Sequence, residues 1–168
     1  MIRTGEDMKT VDIVGKNYFG HWEHTRPACR GIVIRGDEIL LSYAVRDDQW
    51  MIPGGGLEDE DEKSCCIREV AEETGMIVVP SEPFLEIDEY YEDCKYISRY
   101  FICQVTGTTE PHLTDREREV DMEPRWMPID DILEIFSRHD SYAETDEMTR
   151  GMYQREHTAL KEYIAMFR

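Results

Sequence analysis

The sequence predicts an α/β protein built as one domain, and three observations support this fold class. The chain has 168 residues, a length that a single hydrophobic core can serve. Strand patterns and amphipathic helix patterns both occur along it, and hydrophobic residues make up 40% of the chain, which is enough for a packed interior. The third observation is a glycine-rich turn followed by an acidic helix at residues 54–76, with predicted strands before and after it.

The elements before that helix are predicted to be strands. Residues 29–35 and 38–45 are apolar runs separated by Gly36 and Asp37, a pattern typical of a β-hairpin. Residues 50–52 form a short third run, which Pro53 ends because proline has no backbone N–H to donate. The preceding residues, 1–27, are predicted to be an extension with at most one strand. Its two histidines, His21 and His24, are expected to be surface or packing residues and not a metal site.

The helix itself is expected to run from about Glu60 to Gly75. Acidic residues crowd its first turn, which the helix dipole favours, and glycine commonly follows the last helical residue. At about 100° per residue, the side chains of Glu69, Glu72 and Glu73 fall on one face. The residues predicted to form the opposite, core-facing side are Ile67, Val70 and Thr74, with Cys66 and Ala71 at the edges.

Three more strands are predicted after the helix, at residues 77–79, 84–91 and 95–105, with a turn at 92–93. In the last strand the residues expected to face the core are Phe101, Cys103 and Val105, and those expected to face away are Tyr100, Ile102 and Gln104.

The C-terminal part is predicted to be mainly helical. Residues 107–124 are polar and predict a long surface loop, followed by a short strand at 125–127. Pro128 opens an amphipathic helix, and a second one ends the chain and packs either on its own core or on a partner subunit, as in a homodimer. The predicted organisation is an N-terminal extension (1–27), a central domain (28–138) and a C-terminal helical extension (139–168). The apolar positions of the two helices are Ile129, Ile132, Leu133 and Phe136, and then Tyr153, Leu160, Ile164 and Phe167.

Charge and cysteine content restrict the function classes. The chain has 37 Asp+Glu against 19 Lys+Arg, a net charge of −18, which disfavours nucleic acids and anionic membranes as partners. A small anionic ligand remains compatible if a cation such as Mg²⁺ screens the carboxylates.

The five cysteines lack zinc-site spacing and are predicted to be reduced and mostly buried. With no apolar run long enough for a secretion signal or a membrane span, we expect the cytoplasm.

The acidic helix face suggests a metal site. Like charges three and four residues apart on a helix repel one another, so Glu69, Glu72 and Glu73 together favour a bound cation. Carboxylate oxygens are the ligands that Mg²⁺ prefers. Arg68 lies beside Glu69 and four residues before Glu72, where it is placed to brace both. On charge alone a solvated acidic face explains the same pattern, and the glycine turn before the helix together with the glycine after it favours the metal site.

These residues resemble the signature of the Nudix hydrolase family. That pattern is Gly, five residues, Glu, seven residues, Arg-Glu, an aliphatic residue, any residue, Glu-Glu, any residue, Gly and an aliphatic residue. The matching residues are Gly54, Glu60, Arg68, Glu69, Val70, Glu72, Glu73, Gly75 and Met76. The resemblance extends over most of residues 29–137.

The resemblance implies an α/β/α sandwich, with a mixed sheet and the metal-binding helix packed against it. It also implies Mg²⁺-dependent hydrolysis of a phosphoanhydride bond in a nucleoside diphosphate linked to another group, with Mn²⁺ as a substitute ion. Glu69, Glu72 and Glu73 would hold the metal, Arg68 would orient them, and a metal-bound water would attack phosphorus. Gly54 and Gly55 would lie against the cofactor, with Gly54 among the metal ligands.

Three points stay open at this stage. Family members often recruit a catalytic base or a further ligand from the loop before the tryptophan strand, where Glu117 and Glu119 are the candidates and Glu119 is preferred because it lies nearer Trp126. The alternative function is a catalytically silent nucleotide-sensing module with the same fold, against which the intact motif argues. The substrate is not specified, although four tyrosines are candidates for stacking on a base: Tyr43, Tyr90, Tyr91 and Tyr96.

Overall fold

The structure is a computed structural model, and it describes residues 8–168. The strands are β1 (Lys9–Val14), β2 (His24–Arg35), β3 (Glu38–Ala44), β4 (Gln49–Met51), β5 (Gly54–Gly56), β6 (Met76–Tyr91), β7 (Cys94–Thr108) and β8 (Met122–Pro128). The helices are α1 (Glu62–Thr74), α2 (Asp115–Glu119), α3 (Ile129–Ser137) and α4 (Glu147–Phe167), with a short 3-10 helix at His139–Tyr142.

The strands form one mixed sheet in the order β1-β6-β7-β2-β3-β4, with β5 added to β2 and β8 added to β3. The pairs β1·β6 and β2·β7 are parallel, and the pairs β6·β7, β2·β5 and β3·β8 are antiparallel. The predicted hairpin is confirmed: β2 and β3 pair antiparallel around Gly36 and Asp37, with Arg35 opposite Glu38. The predicted turn at 92–93 joins β6 to β7.

Helices cover both faces of this sheet, as expected for an α/β/α sandwich. Helix α1 packs on one face against a core cluster that includes Cys29, Val33 and Phe101. Helices α3 and α4 pack on the other face, where Ile32 and Leu85 belong to the larger core cluster. Neighbouring residues of a central strand therefore enter different cores, because successive side chains in a strand point to opposite faces.

This double coverage corrects the predicted faces of β7. Phe101 and Cys103 are buried as expected. Tyr100, which was expected to face away from the core, is fully buried beneath α4, and Val105, which was expected inside, is 44% exposed near the end of the strand. The prediction assumed a sheet with a single buried face, which does not hold when helices lie on both sides.

The predicted loop at 107–124 is also partly wrong. The chain leaves β7 at Thr108, forms α2 at Asp115–Glu119 and enters β8 at Met122. Thr114 caps α2: its hydroxyl accepts the N–H of Glu117 at 3.3 Å, while the Glu117 carboxylate accepts the N–H of Thr114 at 2.8 Å. A polar sequence therefore encodes a short capped helix at this position.

Both ends of the chain pack against the central part. The predicted extension at 1–27 contains β1, which pairs with β6, and the start of β2; its first seven residues lie outside the described range. Helix α4 packs on the sheet of its own chain through Tyr153 and Leu160, so the first of the two predicted docking modes is observed. The division at 28 and 138 stays a prediction. No helix in residues 8–168 combines the length and the apolar run needed to span a membrane.

Candidate active site

Helix α1 is defined by a cap at each end. It begins at Glu62, two residues later than expected, because the Asp61 side chain accepts the N–H of Ser64 at 2.8 Å and so satisfies a free donor of the first turn. It ends where Gly75 adopts a positive φ of 73° and donates its N–H to Ala71. The caps fix where each carboxylate of the helix lies relative to the glycine turn.

The buried face of α1 differs from the prediction. The buried residues are Cys65, Cys66, Val70, Glu73 and Thr74, whereas Ile67 is 37% exposed. The core face is therefore rotated towards the acidic side, and it includes Glu73. The expectation that all three carboxylates lie on an outer face is wrong for Glu73, and this difference governs the chemistry of the site.

Glu73 is a buried carboxylate that accepts hydrogen bonds from two donors. Its Oε2 accepts the Ser42 hydroxyl at 2.8 Å and the backbone N–H of Gly54 at 3.2 Å. Burial raises the pKa of Glu73 to about 8, the charges of Glu117 and Glu69 add to the rise, and the two hydrogen bonds oppose it. Without a nearby cation this carboxyl group is therefore mainly protonated at neutral pH.

Arg68 holds the remaining carboxylates together. Its guanidinium donates to Glu60 at 2.6 Å, to Glu69 at 2.8 Å and to Glu72 at 3.2 Å. The planar fork of arginine suits several carboxylates at once, which a lysine ammonium does not. The Arg68 hydrogen bonds lower the pKa of Glu60, so this glutamate stays ionised as the main partner of the arginine.

Glu69 lies directly against the glycine turn. A Cβ atom added to Gly55 would collide with the Glu69 carboxyl group, with Oε2 only 2.5 Å away. Burial raises the pKa of Glu69, and the hydrogen bond and charge of Arg68 oppose that rise. Glycine at this position is required because the backbone and the carboxylate occupy adjoining space.

Gly54 connects the turn to the sheet. It pairs with Arg30 across the β5·β2 ladder, and a Cβ atom on it would clash with the carbonyl oxygen of Cys29. Its N–H bonds Glu73, so the same residue contacts both the sheet and the buried carboxylate. Gly54 and Gly55 therefore lie beside Glu73 and Glu69, while the expected contacts of both glycines with the cofactor, and of Gly54 with the metal, stay predictions.

The two loop glutamates differ in their relation to the site. Glu117 is half-buried, and its charge raises the pKa values of both Glu69 and Glu73. Glu119 is exposed at the end of α2. The structure thus connects Glu117 electrostatically with the helix carboxylates.

Sequence reasoning missed Ser42 as a member of the site. It lies on β3, 31 residues before Glu73, and its hydroxyl is fully buried. A single serine in an apolar strand is a weak signal in itself. It would have been noticeable only as the one hydroxyl in the buried run of β3.

The donor set fits a hard divalent cation. Glu73 is buried and Glu69 is half-buried, and both have raised pKa values. The more exposed Glu72 bonds Arg68, as Glu69 does. A divalent cation would offset the repulsion among these groups, and Mg²⁺ prefers carboxylate oxygens. The residues that could hold it are Glu69, Glu72 and Glu73, beside the backbone of Gly54.

A second feature is a cavity on the α4 side of the sheet. It measures about 690 Å³, and Tyr91 and Tyr96 line it together with Arg30 and Met51. Of the four tyrosines considered for base stacking, Tyr91 and Tyr96 line this cavity; the Tyr43 ring stacks on Trp50 with the ring centroids 4.0 Å apart.

His24 and Asp93 line this cavity, and with Glu23 they form a cluster whose possible metal-ligand atoms lie within 4.8 Å of one another. The His24 imidazole lies 3.5 Å from the Asp93 carboxylate. The expected surface character of His24 is confirmed, since the residue is exposed. All five cysteines are free and buried, also as expected.

Comparison with known proteins gives a family match. The profile of the NUDIX domain matches residues 24–150, which is more than half of the chain. Mouse diphosphoinositol polyphosphate phosphohydrolase 3-alpha is 33% identical over 109 residues, covering 62% of this chain and 63% of that protein. The chain thus spans less than two thirds of the length of this curated relative.

Solved structures show the same fold. A NUDIX hydrolase from Nitrosomonas europaea aligns with a TM-score of 0.54 at 19% identity, covering 80% of this chain and 90% of that one. A UDP-X diphosphatase aligns with a TM-score of 0.52 at 19% identity, covering 65% of this chain and 53% of that one. With the family profile spanning the capped helix, the arginine and the three glutamates, the chain belongs to the NUDIX domain family.

Proposed function

We propose that this protein is a Mg²⁺-dependent hydrolase of a nucleoside diphosphate linked to another moiety, and that it cleaves a phosphoanhydride bond. The observation that carries the proposal is the convergence of Glu69, Glu72 and Glu73 beside the Gly54–Gly56 turn, with Arg68 bonded to two of them. The name of the mouse relative, a phosphohydrolase, supports the reaction type.

The proposed chemistry needs charge neutralisation and positioning more than covalent catalysis. A bound Mg²⁺, or Mn²⁺ in its place, supplies neutralisation of the diphosphate and a stronger water nucleophile. The protein residues supply the geometry: Ser42 and Gly54 hold the Glu73 carboxylate in place, and Arg68 fixes Glu69 and Glu72.

We infer that Glu117 is the loop glutamate that completes the site, in preference to Glu119. The support is electrostatic, because the charge of Glu117 acts on the carboxyl groups of both Glu69 and Glu73. The capping box at Thr114 also gives Glu117 a defined position, while Glu119 is exposed. In this role Glu117 would accept a proton from the attacking water or add a ligand to the metal.

The proposal extends to the cellular setting. Five free thiols are typical of a reducing compartment, which supports the cytoplasm. The net charge of −18 disfavours nucleic acids, and it is compatible with a small nucleotide when a cation screens the carboxylates.

The experiment is a substrate screen with product identification. Purified protein is incubated with Mg²⁺ or Mn²⁺ and a panel of nucleotide sugars, dinucleotides, nucleoside triphosphates and a diphosphoinositol polyphosphate. We expect cleavage of a phosphoanhydride bond in at least one nucleotide of the panel. Absence of turnover across the panel contradicts the proposal, and nucleotide binding without any product would instead support the catalytically silent module.

A further inference from the structure

Helix α4 forms a row of hydrogen bonds with the strand that leads into the active site. Three of its residues lie on one face at spacings of four and three, and each bonds a different residue of the segment before the glycine turn. The pairs are Thr149 with Gln49 at 2.6 Å, Tyr153 with Trp50 at 3.2 Å and Glu156 with Ile52 at 2.6 Å.

Glu156 is the innermost of these three residues and the only charged one. Its side chain is fully buried, and Oε2 accepts the backbone N–H of Ile52. Its other oxygen accepts the Tyr100 hydroxyl at 2.7 Å and the Arg155 guanidinium at 3.0 Å. Burial raises the pKa of Glu156, but the charges of Arg155 and Arg30 and these hydrogen bonds lower it overall, so the carboxylate stays ionised.

Ile52 lies in the gap between β4 and β5, directly before the active-site turn. Three consecutive residues of this segment are each held from a different side of the molecule. The Ile52 N–H bonds Glu156 of α4, the Pro53 carbonyl accepts the N–H of Gly31 on β2 at 2.9 Å, and the Gly54 N–H bonds Glu73 of α1.

A fully buried carboxylate is a costly way to pack a helix onto a sheet. Desolvating a charge is offset only by close partners, and an apolar residue of similar size would fill the same volume at lower cost. What an apolar residue does not provide is an acceptor for the buried Ile52 N–H, which would otherwise be unpaired. The carboxylate thus accepts from Tyr100, Arg155 and Ile52, and the bond from Ile52 is the one that holds the backbone of this segment.

We propose that Glu156 is a positioning residue of the active site: by fixing the Ile52 N–H, it sets the position of Gly54 and Gly55 against Glu73 and Glu69. The inference rests on the proposed hydrolase function. It makes α4 part of the catalytic framework, although the helix contributes none of the residues of the Nudix signature.

The test compares three variants on the best substrate from the screen, at a temperature where each is folded by circular dichroism. Glu156→Met removes the acceptor and keeps the size of the side chain. Glu156→Gln keeps one carbonyl oxygen for Ile52. Leu160→Ala is the matched control, since Leu160 is equally buried on α4 and packs only in the core.

We expect Glu156→Met to lower kcat by roughly ten- to a hundredfold with KM nearly unchanged, as a small displacement of catalytic groups does. Glu156→Gln should restore a large part of that loss, and Leu160→Ala should lower stability while kcat stays near wild type. A second readout is the amide NMR signals of Ile52 and Gly54, which should shift in Glu156→Met and not in Leu160→Ala.

The inference is overturned if Glu156→Met keeps the wild-type kcat. It is also overturned if Leu160→Ala lowers kcat as much as Glu156→Met does. Should Glu156→Met not fold, Glu156→Gln decides through two readouts together: the inference is overturned if kcat falls while the Ile52 amide signal keeps its wild-type position, or if that signal shifts while kcat stays at the wild-type value. These results differ from failure of the proposed function, in which the wild-type protein itself turns over no substrate.

Discussion

At the scale of single residues, the environment of Glu73 distinguishes this site from an acidic helix surface. A solvated glutamate would keep its ordinary pKa, whereas burial between Ser42 and Gly54 raises the pKa of Glu73 to about 8. The folded, metal-free protein therefore holds a proton that the unfolded chain releases. This linkage gives a measurable dependence of stability on pH.

The first prediction concerns that dependence. Between about pH 4.5, the ordinary value, and about pH 8, the folded state binds more protons at Glu73 than the unfolded state does, so stability falls as pH rises. The slope is at most about 1.4 kcal/mol per pH unit for one group. Thermal unfolding in the presence of a chelator should show a steeper fall for wild type than for Glu73→Gln. If stability falls with pH equally in the two proteins, the raised pKa does not belong to Glu73.

The second prediction concerns the glycine turn. Gly55→Ala places a methyl group against the Glu69 carboxylate and should lower kcat by about a hundredfold, because small displacements at a reacting centre are costly. Gly56→Ala is the matched control, since a Cβ atom there meets nothing within 4 Å. Steady-state kinetics of both variants checks this prediction. Equal losses in the two variants would show that the turn, and not the contact with Glu69, is sensitive.

The third prediction separates the two loop glutamates. Glu117→Gln removes a charge that acts on Glu69 and Glu73, and it should lower kcat by roughly a hundredfold or more if this carboxylate acts as general base. Glu119→Gln alters an exposed side chain of the same helix and should have a small effect. The reverse order of effects would restore the preference for Glu119 drawn from the sequence.

At the scale of elements, helix α1 is held by its caps and by its buried face. Its start depends on the Asp61 side chain, which accepts both the N–H and the hydroxyl of Ser64. Its buried face carries cysteines and Val70 against the sheet. Because the first turn is anchored by one side chain, the contribution of this cap can be measured by a single substitution.

The fourth prediction follows from this cap. Asp61→Ala should lower the urea midpoint of unfolding, while Asp61→Asn should keep it close to wild type, because asparagine also accepts at the N-cap position. Urea unfolding at equilibrium measures both. If alanine and asparagine cost the same, charge at the helix start, and not the hydrogen bond, stabilises α1.

Comparison of these elements with the sequence shows where prediction works. Local signals located the hairpin, the turn at 92–93 and the helix with its glycine end, because each depends on residues close together in the chain. Ile67 and Tyr100 were assigned to the wrong faces, since their burial depends on which layers cover the sheet. Ser42 and Glu156 bond residues 31 and 104 positions away, and no local pattern reports such pairings.

At the scale of the whole molecule, the two helical layers have different roles. Helix α1 brings the carboxylates to the glycine turn from one side of the sheet, and α4 holds the preceding strand from the other. The turn is thus held between layers that are far apart in the sequence. An overall charge of −18 also means that a bound divalent cation relieves repulsion in the folded state, so it should stabilise that state.

The most direct test of the central claim, that the helix carboxylates form a metal-dependent hydrolytic site, is the turnover of one cleaved nucleotide by wild type and by Glu73→Gln. Both are assayed with Mg²⁺ and with chelator. We predict turnover by wild type with Mg²⁺, loss of it with chelator, and background rates for Glu73→Gln under either condition. Unchanged turnover by folded Glu73→Gln, or turnover by wild type that persists in chelator, would contradict the claim.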